Sequence, residues 1–167
     1  SEMCIRDSDD TTGYAMATKN AVVRDYSSPD TLFMHADTFK IFTYNIRTDS
    51  VYRLVHGYHK ARAFRSDVQS VCDSLKYDSK NKKMTMYGNP IVWNNNQQLL
   101  GEEIQVFMCD STIDSVHVIR QALLAQQLDS ACYNQVAGRE MYAYFNGGKL
   151  SWSKVLGNVD VAYFPYD

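Results

Sequence analysis

Histidines, paired carboxylates and thiols are the side chains in this sequence whose chemistry could make a reactive site. His56 and His59, within His56-Gly57-Tyr58-His59, form the one close histidine pair. On a strand, residues three apart face opposite sides, so the pair does not make a shared metal site, and no metal or cofactor is expected. His35 and His117 stand alone in strand-like segments and read as partly exposed strand residues. Glu102, Glu103 and Glu140 could suggest acid–base work, but adjacent strand residues diverge and the spacing places no matched second carboxylate. They read as a solvated sheet face. GxGxxG, GxxxxGKS/T, GxSxG and HExxH are all absent, so an enzyme is not expected. Cys72, Cys109 and Cys132 are odd in number and lack a CxxC pair, which fits neither a zinc site nor a disulfide framework. Buried free thiols are the simplest reading, and one bridge between two of them stays open in an oxidising compartment.

The elements that must hold these residues are short and strand-like. The 167 residues carry 17 basic and 19 acidic side chains with no long run of one sign, which argues against nucleic acid as a partner. Lys80-Asn81-Lys82-Lys83 reads as a solubilising hairpin turn, with contact to lipid phosphates as the lesser option. No apolar run approaches the ~20 residues of a membrane-spanning helix. Twelve Tyr against eight Gly and three Pro favour a β-rich globular domain. Turn chemistry at 27–30, 78–81, 94–96, 109–111 and 146–149 separates segments of period two. Residues 116–128 fit a helical face about as well as a strand, and strand is expected because the repeat phase requires it.

Two units recur. Ala36-Asp37-Thr38-Phe39, Cys72-Asp73-Ser74-Leu75, Gly101-Glu102-Glu103-Ile104 and Gly138-Arg139-Glu140-Met141 start 36, 29 and 37 residues apart. Between them fall Met86-Tyr87-Gly88-Asn89 and Val155-Leu156-Gly157-Asn158, with a weaker copy at Val55-His56-Gly57-Tyr58. A period of about 34 residues with two strand types predicts a stacked β architecture in which Phe39, Leu75, Ile104 and Met141 line up rung over rung. The Gly-Asn pairs suit bends between two sheets.

The segment from Tyr133 to Phe145, followed by Val155-Leu156-Gly157-Asn158-Val159, resembles the OstA-like family in its Bacteroidetes version, and the Ala36-Asp37 and Gly88-Asn89 units read the same way. That family is related to the periplasmic lipopolysaccharide-transport proteins LptA and LptC and to the N-terminal domain of LptD. The resemblance implies an all-β coiled β-jellyroll, two facing antiparallel sheets open along one side, over residues 14–167 as a fragment of a longer protein. Residues 1–13 are set apart as disordered or artefactual. It further implies a periplasmic location, with outer-membrane association as an option, and a groove that takes acyl chains of lipopolysaccharide or a related lipid. The groove would be lined by Phe39, Ile41, Leu75, Tyr77, Val92, Ile104, Val106, Met141, Val159 and Val161. Five coils would span about 24 Å, enough for a leaflet's acyl region of about 15 Å. Self-association or docking on another Lpt or OstA-like domain is expected through Val159, Val161 and Tyr163, with Phe164 continuing the strand and Pro165 ending it. Two alternatives compete: a closed β-solenoid that binds protein partners by strand-edge pairing without lipid, and a carbohydrate-binding β-domain, motivated by Tyr together with Trp93 and Trp152. Aromatic rings clustered on an exposed face would favour the last.

Overall fold

The computed structural model describes residues 4–9, 13–26, 29–109, 112–129 and 131–163; the expected turn residues 27–28 and 110–111 and the expected strand end at Phe164 and Pro165 lie outside them. The described chain is all-β and antiparallel. In order it runs β1 (Cys4–Asp9), β2 (Tyr14–Asp25), β3 (Leu32–Tyr44), β4 (Tyr52–Arg65), β5 (Val68–Asp78), β6 (Lys83–Tyr87), β7 (Ile91–Asn94), β8 (Gln97–Leu100), β9 (Glu103–Met108), β10 (Ile113–Gln127), β11 (Tyr133–Asn146), β12 (Lys149–Leu156) and β13 (Asp160–Ala162). No helix is long and apolar enough to cross a membrane among the described residues.

Six strands, β2, β3, β4, β5, β10 and β11, are long and bent, and each contributes one half to each of two layers. The first layer carries the order β2, β3, β4, β5, β6, β9, β10, β11, β12. The second carries the other halves with β7 and β8 between β5 and β10, and ends on β13. Because β5 and β10 belong to both layers, the pairing β5, β6, β9, β10, β8, β7 and back to β5 closes a six-stranded ring.

The bends are of two kinds, and they alternate from strand to strand. Passing into the second layer, the chain uses two successive left-handed residues: Lys19 and Asn20, His59 and Lys60, Gly88 and Asn89, Arg120 and Gln121, Gly157 and Asn158. Eight of these ten are not glycine, at roughly 1 kcal/mol or more each. The inward side chains around such a bend are four apart, as in Ala17 and Ala21 or Val118 and Ala122, all buried. That interval imitates helical spacing, which is why 116–128 looked ambiguous; it is strand throughout β10. Passing back, the bend is a small residue followed by a charged one: Ala36-Asp37, Cys72-Asp73, Gly101-Glu102 and Gly138-Arg139. A β-carbon on Gly101 would lie 2.4 Å from Val118 Cγ1, and one on Gly138 2.4 Å from Val155 Cγ1.

Two expectations are corrected. The weak copy at Val55-His56-Gly57-Tyr58 is not a bend; the bend is at His59 and Lys60, while Gly57 leaves room for the Phe39 ring, 2.8 Å from where its β-carbon would be. Within residues 1–13, β1 pairs with β2 from Cys4 opposite Thr18 to Asp9 opposite Tyr14; a sheet edge accepts any extended segment. The stack is also taller than five rungs, since each coil gives two strands to a layer, and ten strands from β1 to β12 span roughly 43 Å.

Gly88 combines φ of +79° with a β-carbon position 2.5 Å from Asp73 Cβ, whereas Gly147 has φ of +60° and nothing within 4 Å. Gly88→Ala should therefore cost roughly 2–4 kcal/mol and Gly147→Ala about 1 kcal/mol in urea unfolding. Equal losses would remove the contact with Asp73 as the reason for glycine at that bend.

Candidate functional site

Phe39, Leu75, Ile104 and Met141 do lie in one inward row of the first layer, where they alternate with Gly57, Met86, Val118 and Val155. Ile41, Tyr77 and Val106 belong to the next row, and Val92 to the facing row of the second layer, which also carries Met34 and Leu99. All of these named residues are buried except Ile41 and the end-of-row Val155, both partly buried against the core. Val161 sits opposite Val136 at the last rung of the second-layer row and is 58% exposed; Val159, in the preceding bend, is 51% exposed. The inward row thus surfaces at the β13 end.

The two layers meet. One void between them, among the described residues, has about 10 Å³, with Leu32, Ala63 and Val68 on one side and Met84, Met86 and Met108 on the other, room for one water at most. Close packing of apolar side chains across two sheets about 10 Å apart accounts for this filling. Met84, Met86 and Met108 were missed as lining residues, although period two in Lys83-Met84-Thr85-Met86-Tyr87 points both of the first two inward.

The edge opposite the bends is not open either. Arg65, 2% exposed, faces inward from the end of β4 and makes a bidentate pair with Asp67, at 2.7 Å from Nε to Oδ1 and 3.0 Å from Nη2 to Oδ2. From that hairpin of the second layer, Arg65 Nη1 donates to the Cys109 carbonyl and Asp67 Oδ2 accepts from the Ile113 amide, both in the first layer. Asn94 Nδ2, at the end of β7, donates to the Asp67 and Gly148 carbonyls, and Tyr77 donates its hydroxyl proton to Asp25 at 2.6 Å. This polar clasp ties the layers together where an opening was expected. Apart from the Arg65–Asp67 pair, its partners are 27 to 54 residues apart, so no local signal announces it. Burial alone would raise the Asp67 carboxyl, but hydrogen bonding and charge from Arg65, with the Ile113 amide, outweigh it and hold the group below its ordinary value. Burial and Asp25 raise the Tyr77 hydroxyl, so it remains a donor.

The remaining candidates disperse. Burial, Lys76 and Lys40 lower His56, and His59 sits in a bend on the exposed side. Among the described residues, no group of three His, Cys, Asp or Glu side chains could hold a metal ion. His35 is partly buried in β3. Glu102 pairs with Arg120 at 2.7 Å, and Glu140 is held below its ordinary value by hydrogen bonds from His117 and Tyr142. Glu103 lies beside Gln105 on the outer face. Cys72 and Cys132 are half-buried free thiols, whereas Cys109, expected to be buried, is exposed with its Sγ against Thr112; burial pushes Cys72 up to about 12, which leaves it a poor nucleophile. Lys80 and Lys82 do occupy the β5–β6 turn. Trp93 lies half-buried in β7, while Trp152 in β12 and Tyr163 are 55% and 64% exposed.

Asp67→Asn should destabilise the fold by roughly 3–5 kcal/mol at pH 7, since it leaves Arg65 buried without its counter-charge. Because the folded carboxyl lies below its unfolded value of about 3.9, its contribution is complete above that pH and is lost as pH falls through the folded value. Urea unfolding at pH 7, 5 and 3 should show the gap between wild type and variant narrowing only at the most acid point; a constant gap would remove Asp67 as the clasp's charged member. No family model matches this chain, and no curated protein is significantly similar to it.

Proposed function

We propose that this chain is an OstA-like β-jellyroll module of the periplasm that holds acyl chains of lipopolysaccharide or a related lipid between its two layers. The observation that carries this reading is the inward apolar surface, which continues from strand to strand along the stack and surfaces at Val161. A lipid tail needs no directional contact, only apolar area withdrawn from water. Three features support an interior that takes in a guest by parting. Met34, Met84, Met86, Met108 and Met141 are unbranched and adaptable, and repack more easily than branched side chains. The edge opposite the bends is joined by hydrogen bonds rather than by continuous strand pairing. The height of roughly 43 Å exceeds the ~15 Å of a leaflet's acyl region.

A second reading is favoured by the 10 Å³ gap: a structural module that binds a protein partner by strand addition and takes no lipid. Both readings use the last coil, where among the described residues β12 and β13 pair with β11 alone and Leu156, Val159, Val161 and Tyr163 stay exposed. Such an edge adds a strand from a second copy or from another domain of the same type.

Native mass spectrometry of the folded chain with lipopolysaccharide, and with the same material stripped of its acyl chains, separates the two. Saturable adducts with the acylated form alone are expected; no adduct, or equal adducts with both, would leave the strand-edge module standing. Sedimentation over a concentration series should show association by the wild type that Val161→Pro abolishes, and an identical profile for the variant would sink edge assembly.

A further inference from the structure

The outward face of the first layer carries a second kind of surface. Its rings are paired across strands. Tyr144 and Trp152 stack at 4.2 Å with 19° between planes, and in the adjacent row His117 and Tyr142 stack at 4.1 Å with 10°. Lys83 Nζ lies over one face of Phe107, 5.3 Å from the ring centroid. Lys83, Phe107, Ser115, Tyr144 and Trp152 are directly opposite one another on the successive strands β6, β9, β10, β11 and β12. In this row of large side chains, Ser115 is the exception. Phe107 has Lys83 on its β6 side and Tyr144 has Trp152 on its β12 side, so each turns its other side toward the space above Ser115.

That space is a cavity of about 280 Å³ bounded by Phe107, Ser115, Tyr144, Asp114 and the His117–Tyr142 stack. Cross-strand ring pairs alone would stabilise the sheet, and Tyr44 with Tyr52 does so on the same face, stacked at 5.1 Å under Lys80. The row through Ser115 differs because a hydroxymethyl stands where a ring would complete the stack. The register of β10 against β9 shifts between Ile113 and Ser115, a bulge that re-aims Asp114, which borders the cavity and is exposed. Polar groups therefore sit at both ends of the slot: the Asp114 carboxylate at one, and His117 with Tyr142, both bonded to Glu140, at the other.

We propose that this slot binds a pyranose sugar ring, clamped between Phe107 and Tyr144. Strands two apart are separated by about 9.6 Å. A flat ring stacked on both walls at ~3.5 Å each would need only about 7 Å, whereas a chair with C–H groups on both faces is thicker. Its equatorial hydroxyls, each donor and acceptor, would point along the slot to Asp114, Ser115 and His117. The slot lies on the face turned away from the interior, so the inference is independent of both readings of function above.

The test is a titration of the chain with glucose, galactose, mannose and N-acetylglucosamine, followed by amide NMR shifts. At least one sugar should shift Phe107, Ser115 and Tyr144 saturably. Tyr144→Ala, which removes a wall, and Ser115→Leu, which fills the slot, should each weaken that sugar by about tenfold or more, while Tyr44→Ala on the same face leaves it within about twofold. Thermal melts check that each outward-facing variant is folded. Absence of saturation with all four sugars, binding by Ser115→Leu as tight as wild type, or a response to adenosine and to none of the sugars would each overturn the proposal.

Discussion

Every contact between the two layers depends on the chain bending at the same place on successive strands. A long strand alone has two faces and one sheet to join; bent near its middle, it joins two sheets and turns one face of each half inward. The bends stack because neighbouring strands use complementary forms, a left-handed pair beside a small residue with a charged one. Gly88 beside Asp73 and Gly157 beside Arg139 leave no room for a β-carbon. Where the left-handed pair holds no glycine a polar contact helps make the fit, as where Arg120 reaches Glu102 and its carbonyl accepts the Glu102 amide. Left-handed Lys, His, Arg and Gln are costly one by one, and the burial of whole inward rows offsets them.

Once the bends align, the interior follows from alternation, and its chemistry is uniform enough that only its edges discriminate between functions. Along the bends the layers are joined by the chain itself. Opposite them the joint is polar: Arg65, Asp67, Asn94 and Tyr77 hold carbonyls, an amide and a carboxylate of the facing layer. Buried hydrogen bonds of this kind have a fixed geometry, and each orphaned group is expensive, so the joint is firm when complete and has few intermediate states. Contacts between the apolar rows behind it carry little directional preference. A filled interior and a parted, lipid-holding one therefore differ chiefly in the state of this joint and of the methionines beside it.

The same alternation makes the outward face a different chemical surface. Rings and lysines stand in rows there, and the paired rings give the sheet cross-strand support that does not depend on the core. At the last coil the support ends: among the described residues β12 and β13 pair with β11 alone, and Trp152, Val161 and Tyr163 are exposed. Inside, outside and end thus offer three distinct surfaces on one simple plan.

Much of that plan was legible in the residues. Small-charged units at 36, 72, 101 and 138 mark real bends, and the apolar residue three beyond each small one joins a single row, because side-chain direction on a strand depends on position alone. The left-handed pair His59-Lys60 was not legible, since nothing about His or Lys favours that backbone; its place is imposed by the bends on either side. The sequence by itself determined which side chains turn inward and where the small-charged and Gly-Asn bends fall, for these are local properties of the chain. Only the tertiary structure decided that the layers touch, that Arg65 meets the carbonyl of Cys109, and that Ser115 stands between two ring faces, for each of these rests on strands brought side by side from distant parts of the chain.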